Sequence, residues 1–500
     1  MMEGHSKPII AGIANRSVPG RAHSRTLTRP KGCAHSIPMR ASAPFLLAAA
    51  ALAAPVPAAE APPPGAAPAV DPEIREIVSS ISAERIQRSI YVLASFKTRH
   101  TLSDPLPSGD GIGGAASWIR AEFDRASSQA GGRLNIELDS FDQPPAPPRS
   151  PHEVQITNIV ATLKGTDPDP EGRALVVSGH YDSRATNIRD ATSPAPGADD
   201  DASGVASVLE LARVMSHFKF RATIVFLAVA GEEQGLYGST HWAQGAKERR
   251  ADIEAMLDND IIGSSRSEDG KVDRGAVRLF AQGIPPTTAP DEGLVALIRA
   301  GGENDTPPRE LARAIREIAA SYVPSMNVRV IYRADRYLRG GDHLPFLERG
   351  YPAVRFTEPA EDFRHQHQDV REEKGVQYGD TPDHVDFAYT ADVARVNAAA
   401  LAVLARAPAP PRDVQIEAAR LENDTTLRWA PNSEPDLGGY RVVWRETTSP
   451  FWEHSLDLPK GVTRTTVQGV SKDNAVFGVE AFDTAGHASP AVFPRARMTL

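Results

Sequence analysis

A chain of 500 residues with 41% apolar content can bury more than one core, and its length predicts two or three domains. A formal net charge of −9, with no basic stripe along the chain, argues against a nucleic-acid partner. Cys33 is the sole cysteine, which excludes both a disulfide framework and a thiolate metal site. Residues 1–38 are basic and aperiodic, and read as disordered or as an upstream extension. A secretory signal is expected over residues 39–59: Arg40 as the charged start, an apolar run from Phe45 to Ala54, and small residues up to Ala59. That run is too short to span a bilayer, so the expectation is a secreted or periplasmic protein with no membrane span.

A Pro/Ala linker follows around residues 55–70. Ile86, Ile90 and Leu93 recur at helical spacing, as do Ala116, Ile119 and Phe123. Strands are predicted at 134–138, 154–163, 174–179, 223–230, 253–257, 276–280, 328–332 and 353–356, and helices at 292–300, 308–320 and 391–407. This alternation predicts an α/β fold over residues 72–406, a three-layer sandwich around a central mixed, largely parallel sheet. Beyond Pro408, Pro410 and Pro411 the helical periodicity stops, and short strands between turn residues predict an all-β sandwich over residues 411–500.

The chemistry gathers where apolar runs end. Residues 223–230 run into Gly231, Glu232 and Glu233; residues 174–179 into His180, Tyr181 and Asp182; residues 253–257 into Asp258, Asn259 and Asp260. Asp199, Asp200 and Asp201 stand between Gly197 and Gly204, before a helix whose apolar face reads Val205, Val208, Leu209, Ala212 and Met215. Residues 364–369 supply a late imidazole, from His365 or His367. Carboxylates packed this tightly repel one another, and a cation among them relieves the repulsion. Carboxylates with histidines and no cysteine suit zinc better than calcium or magnesium. Two ions about 3.5–4 Å apart, sharing a carboxylate, use such a set better than one.

The ordered set, from His180 to Asp369, resembles the secreted bacterial leucyl aminopeptidase family, co-catalytic zinc peptidases related to glutamate carboxypeptidase. The resemblance implies two zinc ions, with His180, Asp200, Glu233, Asp260 and His365 as ligands and Asp200 bridging. It implies Glu232 as general base, and Asp182 as the group orienting His180. The family's spacing of a His four residues before an Asp selects His365 with Asp369, and His367 is the alternative. Asp258 is not expected to be a ligand, and no role is assigned to His343. The implied substrate is a peptide or protein with a free N-terminus. Trp429, Tyr440 and the run from Val479 to Ser489 resemble a fibronectin type III domain, with Trp429 in its core. Two rivals are carried forward: a glutaminyl cyclase-like acyltransferase with one zinc, and a non-catalytic receptor or adhesion protein.

Overall fold

The computed structural model describes residues 70–167, 172–285 and 292–497. The extension and signal expected before residue 60 lie outside them. The chain enters through two capped helices. Asp71 accepts the Glu73 N–H at the start of α1 (Pro72–Ser79), and Ser82 accepts the Arg85 N–H at the start of α2 (Ala83–Ser95). Ile86, Ile90 and Leu93 then share one buried face, as their spacing predicts, and α3 (Ile112–Gln129) buries Ile119 and Phe123 beside them.

Eight strands follow: β1 (Leu134–Gln143), β2 (Val154–Leu163), β3 (Ala174–His180), β4 (Thr223–Val229), β5 (Ile253–Asn259), β6 (Ala276–Ala281), β7 (Asn327–Ile331) and β8 (Ala353–Thr357). They form one mixed sheet in the order β1-β2-β4-β3-β5-β8-β6-β7. Its centre is parallel, since β3 runs with both β4 and β5, and β5 with β8. β1 and β2 pair antiparallel, β2 meets β4 antiparallel, and β6 meets β8 antiparallel.

Why the central strands are continuous apolar runs is visible in their alternation. Ile224, Phe226 and Ala228 of β4 join a core with α1, α2, α3, α4 (Ala202–Met215), α8 (Pro307–Tyr322) and α10 (Phe387–Arg406). Val225, Leu227 and Val229 point to the opposite face, where α6 (Tyr237–Glu248) and α9 (Leu344–Glu348) bring Trp242, Ala243, Phe346 and Leu347. Both faces are dry, so neither can carry the polar half of an alternating strand. α10 is long and apolar enough to cross a bilayer, yet most of it is buried as the central helix of the first core. It begins at Phe387, earlier than the periodicity suggests, because Asp386 caps it by accepting the Tyr389 N–H at 3.2 Å.

Additional sheets close the chain. β11 (Gln415–Glu417), β12 (Thr425–Arg428), β15 (Arg464–Val467) and β17 (Arg495–Arg497) make one; β13 (Leu437–Glu446), β14 (His454–Pro459) and β16 (Ala475–Asp483) make the other. Val414, Leu427, Trp429, Tyr440, Val442, Phe477 and Val479 form one core between them. Trp429 is therefore a packing residue, tilted on Tyr440 with ring centroids 5.3 Å apart. β14 and β17 carry no strand signal in the sequence: His454–Pro459 is nearly all exposed, and three residues at β17 are too few to show a period.

Candidate metal centre

Four neighbouring parallel strands, β4, β3, β5 and β8, end along one edge of the sheet, the position where open α/β sheets place their chemistry. The last residue of β3 is His180. β4 stops at Val229, and Gly231, at a φ of 78°, turns the chain into α5 (Glu232–Gly235), a single helical turn that presents both glutamates. β5 delivers Asp260 one residue past its end.

The three consecutive aspartates have separate tasks. Asp201 caps α4, accepting the Gly204 N–H at 2.9 Å, and also takes the His180 N–H at 3.0 Å. Asp199 accepts the Gly263 N–H at 2.6 Å. Asp200 alone reaches both histidines: its Oδ1 lies 3.1 Å from His180 Nε2 and its Oδ2 lies 3.0 Å from His367 Nε2. The backbone that holds it is clamped by Asp380, whose two oxygens accept the Asp199 and Asp200 N–H groups at 2.8 Å each.

Two triads result, His180 with Asp200 and Asp260, and Asp200 with Glu233 and His367; within each, one potential ligand atom per residue lies within 4.8 Å of the others. The structure thus brings together His180, Asp200, Glu233 and Asp260 as the sequence suggests, and corrects the last histidine. His365 is turned away: its Nδ1 lies 3.1 Å from the Gly379 carbonyl, its Nε2 lies 3.5 Å from Asp362, and its ring stacks on His384. Residues 363–367 form turns, not an extended strand, and His367 takes a left-handed φ of 55° that swings its ring to Asp200 and to Glu233 Oε1 at 3.0 Å. Asp369, the expected partner of His365, accepts the Thr186 N–H instead.

Asp182 does more than orient a ring. His180 Nδ1 lies 3.1 Å from the Asp182 carbonyl and 3.6 Å from its carboxylate. That carboxylate accepts the N–H groups of Glu232 (3.3 Å) and Glu233 (3.1 Å) and the Thr101 hydroxyl (3.1 Å), which locks the β4 turn against the β3 end. Asp258 is committed to Ser178 at 3.0 Å and to His343, whose ring and backbone nitrogens lie 3.3 Å away.

The donor set fits zinc. His180 Nε2 and Glu233 Oε1 are buried and lack a hydrogen-bonding partner, although acidic or imidazole atoms lie only 3.0–3.1 Å off. Atoms this close without hydrogen-bond geometry are spaced so that a shared cation would satisfy them, and a buried polar atom left unsatisfied costs about 1–3 kcal/mol. The electrostatics agree. Burial alone would push His180 down and Asp200 up; instead the neighbouring carboxylates hold His180 well above its ordinary value, and the two imidazoles hold Asp200 well below its own. Burial likewise opposes the charge on His367, but Glu233 and Asp200 push it up to about 10. Glu232 is driven well above the usual carboxylate range, first by burial and then by Glu233, Asp260 and Asp342.

Several residues of the centre carry no sequence signal. Asp380 sits in a loop with no motif, and Arg99 spends its guanidinium on the carbonyls of Tyr181, Leu93, Pro196 and Gly197, shaping the entry to Asp199. Arg355 is legible only as an odd charge inside an apolar strand, which in a doubly covered sheet is itself a signal.

The model of peptidase family M28 matches residues 158–400, the span that holds both triads. A "Probable zinc metalloprotease" of Leptosphaeria maculans is 48% identical over 427 residues, covering 85% of this chain and 98% of its own length. Another of that name, from Pyrenophora teres f. teres, is 47% identical over 425 residues, covering 85% and 87%. These relatives are fungal, which corrects the bacterial emphasis of the sequence resemblance. The structure of LapB from Legionella pneumophila shares 20% identity over 66% of this chain and 74% of its own, with a TM-score of 0.47, too low to bear on the reaction. On the strength of the family match and the fungal relatives, this chain belongs to peptidase family M28 and is a metallopeptidase.

Proposed function

We propose that this enzyme is a zinc exopeptidase that removes the N-terminal residue of peptides, with one ion held by His180, Asp200 and Asp260 and a second by Asp200, Glu233 and His367. The observation that carries the reading is the pair of triads sharing Asp200, one oxygen toward each imidazole. When bound, zinc would supply Lewis acidity, polarising a carbonyl and lowering the pKa of a water toward ~7.

The residues of the chain supply the rest. Glu232 belongs to neither triad, yet its backbone is fixed by Asp182 beside Glu233, so its carboxyl is free to hold a proton. Burial and, after it, the surrounding carboxylates raise its affinity for that proton, which suits a group that takes one from attacking water and returns it to the departing amine. Asp182 keeps Glu232, Glu233 and His180 in register. The excess of buried carboxylates, Asp342 and Asp258 included, favours a cationic group in the substrate, and a free α-ammonium is the one every N-terminus carries. The strand count of the C-terminal sheets suits the fibronectin type III likeness, and the signal-like segment at 39–59 suits an exported enzyme.

The test is a panel of aminoacyl p-nitroanilides, free and N-blocked, assayed with and without chelator. Free substrates should be hydrolysed, blocked ones not, and chelation should stop turnover. Glu232→Gln should lower kcat by ~10²–10⁴-fold with zinc content unchanged. Cleavage of blocked substrates alone would remove the exopeptidase assignment, and one zinc per chain with pyroglutamate formation would replace it by the cyclase reading.

A further inference from the structure

The two triads differ by one buried positive charge. Arg355, in the middle of β8, is fully buried, and its Nη2 lies 2.8 Å from Asp260 Oδ1. The same nitrogen reaches the Asp260 carbonyl at 3.4 Å, while Nη1 donates to Asp335 at 2.6 Å and to the Gly340 carbonyl at 2.8 Å. The guanidinium is thus gripped on three sides and cannot swing away. Glycine at 341 is part of the grip: a Cβ there would lie 3.2 Å from both Arg355 Cδ and Asp260 Oδ2. Among the described residues, Glu233 has no such partner. The cationic group on its carboxylate is the ring of His367, and Arg149 contacts only its backbone carbonyl. Asp200 serves both triads and cannot distinguish them.

We propose that Arg355 is a positioning residue that makes the two metal positions unequal, holding Asp260 in place while competing with a cation for it. The inference rests on the zinc reading given above. A guanidinium at ion-pair distance occupies a lone pair of the ligand oxygen and repels a dication beside it, and in a buried site water screens that repulsion little. The Asp200–Glu233–His367 position therefore fills first and tightly. The His180–Asp200–Asp260 position fills second and more weakly, and its ligand is tied through Arg355 to the loop from Asp335 to Gly341. At the tip of that loop Tyr337 and Leu338 are exposed.

The experiment is a zinc titration of the full-length, chelator-stripped protein by calorimetry, with bound metal counted by equilibrium dialysis. Wild type should show two classes separated by tenfold or more. Asp260→Asn should abolish the weaker class and keep the tighter, and Glu233→Gln should do the reverse. Arg355→Gln paired with Asp335→Asn, which removes the cation and the charge it would leave stranded, should tighten the weaker class by tenfold or more. A single class holding two zinc ions in wild type, loss of the tighter class in Asp260→Asn, or an unchanged gap in the double variant would each overturn the inference while leaving the zinc reading intact. Failure to bind any zinc overturns both.

Discussion

Two groups of buried acids in this molecule are built on opposite terms. At the sheet edge, Asp182, Asp200, Asp201, Glu233, Asp260 and Asp342 crowd together, and among the described residues Arg355 is the one arginine ion-paired to any of them. Where the C-terminal sheets meet α8, by contrast, the acids are matched by guanidinium groups. Asp305 pairs with Arg313 at 3.0 Å and Arg445 at 2.6 Å, Glu310 pairs with Arg313, and Trp452 donates to Glu310 at 3.2 Å beneath both guanidinium groups. The second group is matched in charge by arginines of the polypeptide itself and ties α8 to the C-terminal sheets. On the function proposed above, the first is completed by a cation from outside. Buried charge thus marks structure where the chain neutralises it and function where it does not.

The sharpest way to break this contrast is at the histidines. His367→Ala removes an imidazole from an incomplete group, and should lower activity by more than the ~100-fold typical of outer partners while reducing bound zinc. His365→Ala removes a ring whose contacts are to Gly379, Asp362 and His384 among the described residues, and should cost ~10-fold or less with zinc stoichiometry unchanged. Metal analysis beside kinetics decides between them. Equal loss in the two variants would restore His365 as a ligand.

The complete group should fail differently. Arg313→Met leaves Glu310 with the Trp452 N–H and Asp305 with Arg445, and breaking a buried pair in this way costs about 3–5 kcal/mol. The denaturation midpoint should fall by several degrees, with kcat unchanged for the molecules that remain folded. In chelated protein, Glu233→Gln should lower the midpoint less than Arg313→Met does, because no arginine balances that carboxylate and its imidazole partner, His367, keeps Asp200. A large destabilisation by Glu233→Gln would erase the distinction between the two groups.

Much of this organisation is legible in the order of residues alone. Short β-branched runs such as Ile224 to Val229 read as doubly covered strands, and acids at the ends of several such runs converge if the strands are parallel neighbours. What the residue order does not reveal is local backbone geometry. Asp200 is chosen from three adjacent aspartates because its neighbours are taken by the N–H groups of α4 and Gly263. His367 is chosen over His365 by one left-handed residue in a turn, which alternation along the sequence cannot reveal. Arg355 and Asp380 reach the site from far along the chain, so no spacing rule links them to it.

The smallest effect expected tests whether the paired interface is fully neutral. Glu480 of β16 faces Glu317 of α8, with Arg441, Glu310 and Asp457 nearby, and burial followed by Glu317 pushes it up to about 8. A carboxyl whose folded value lies above its ordinary 4.5 keeps a proton that the unfolded chain has already released. Stability from this group is therefore fully present below about pH 4.5 and lost as pH rises toward 8, with a slope of at most ~1.4 kcal/mol per pH unit. Glu310 and Glu317 are raised as well and share the same sign. Glu480→Gln should flatten the fall in denaturation midpoint between pH 5 and 8 without abolishing it, since its two neighbours still titrate. Should wild type instead grow more stable over that interval, Arg441 outweighs the clustered acids, and the interface is as completely paired as the contrast with the sheet edge would have it.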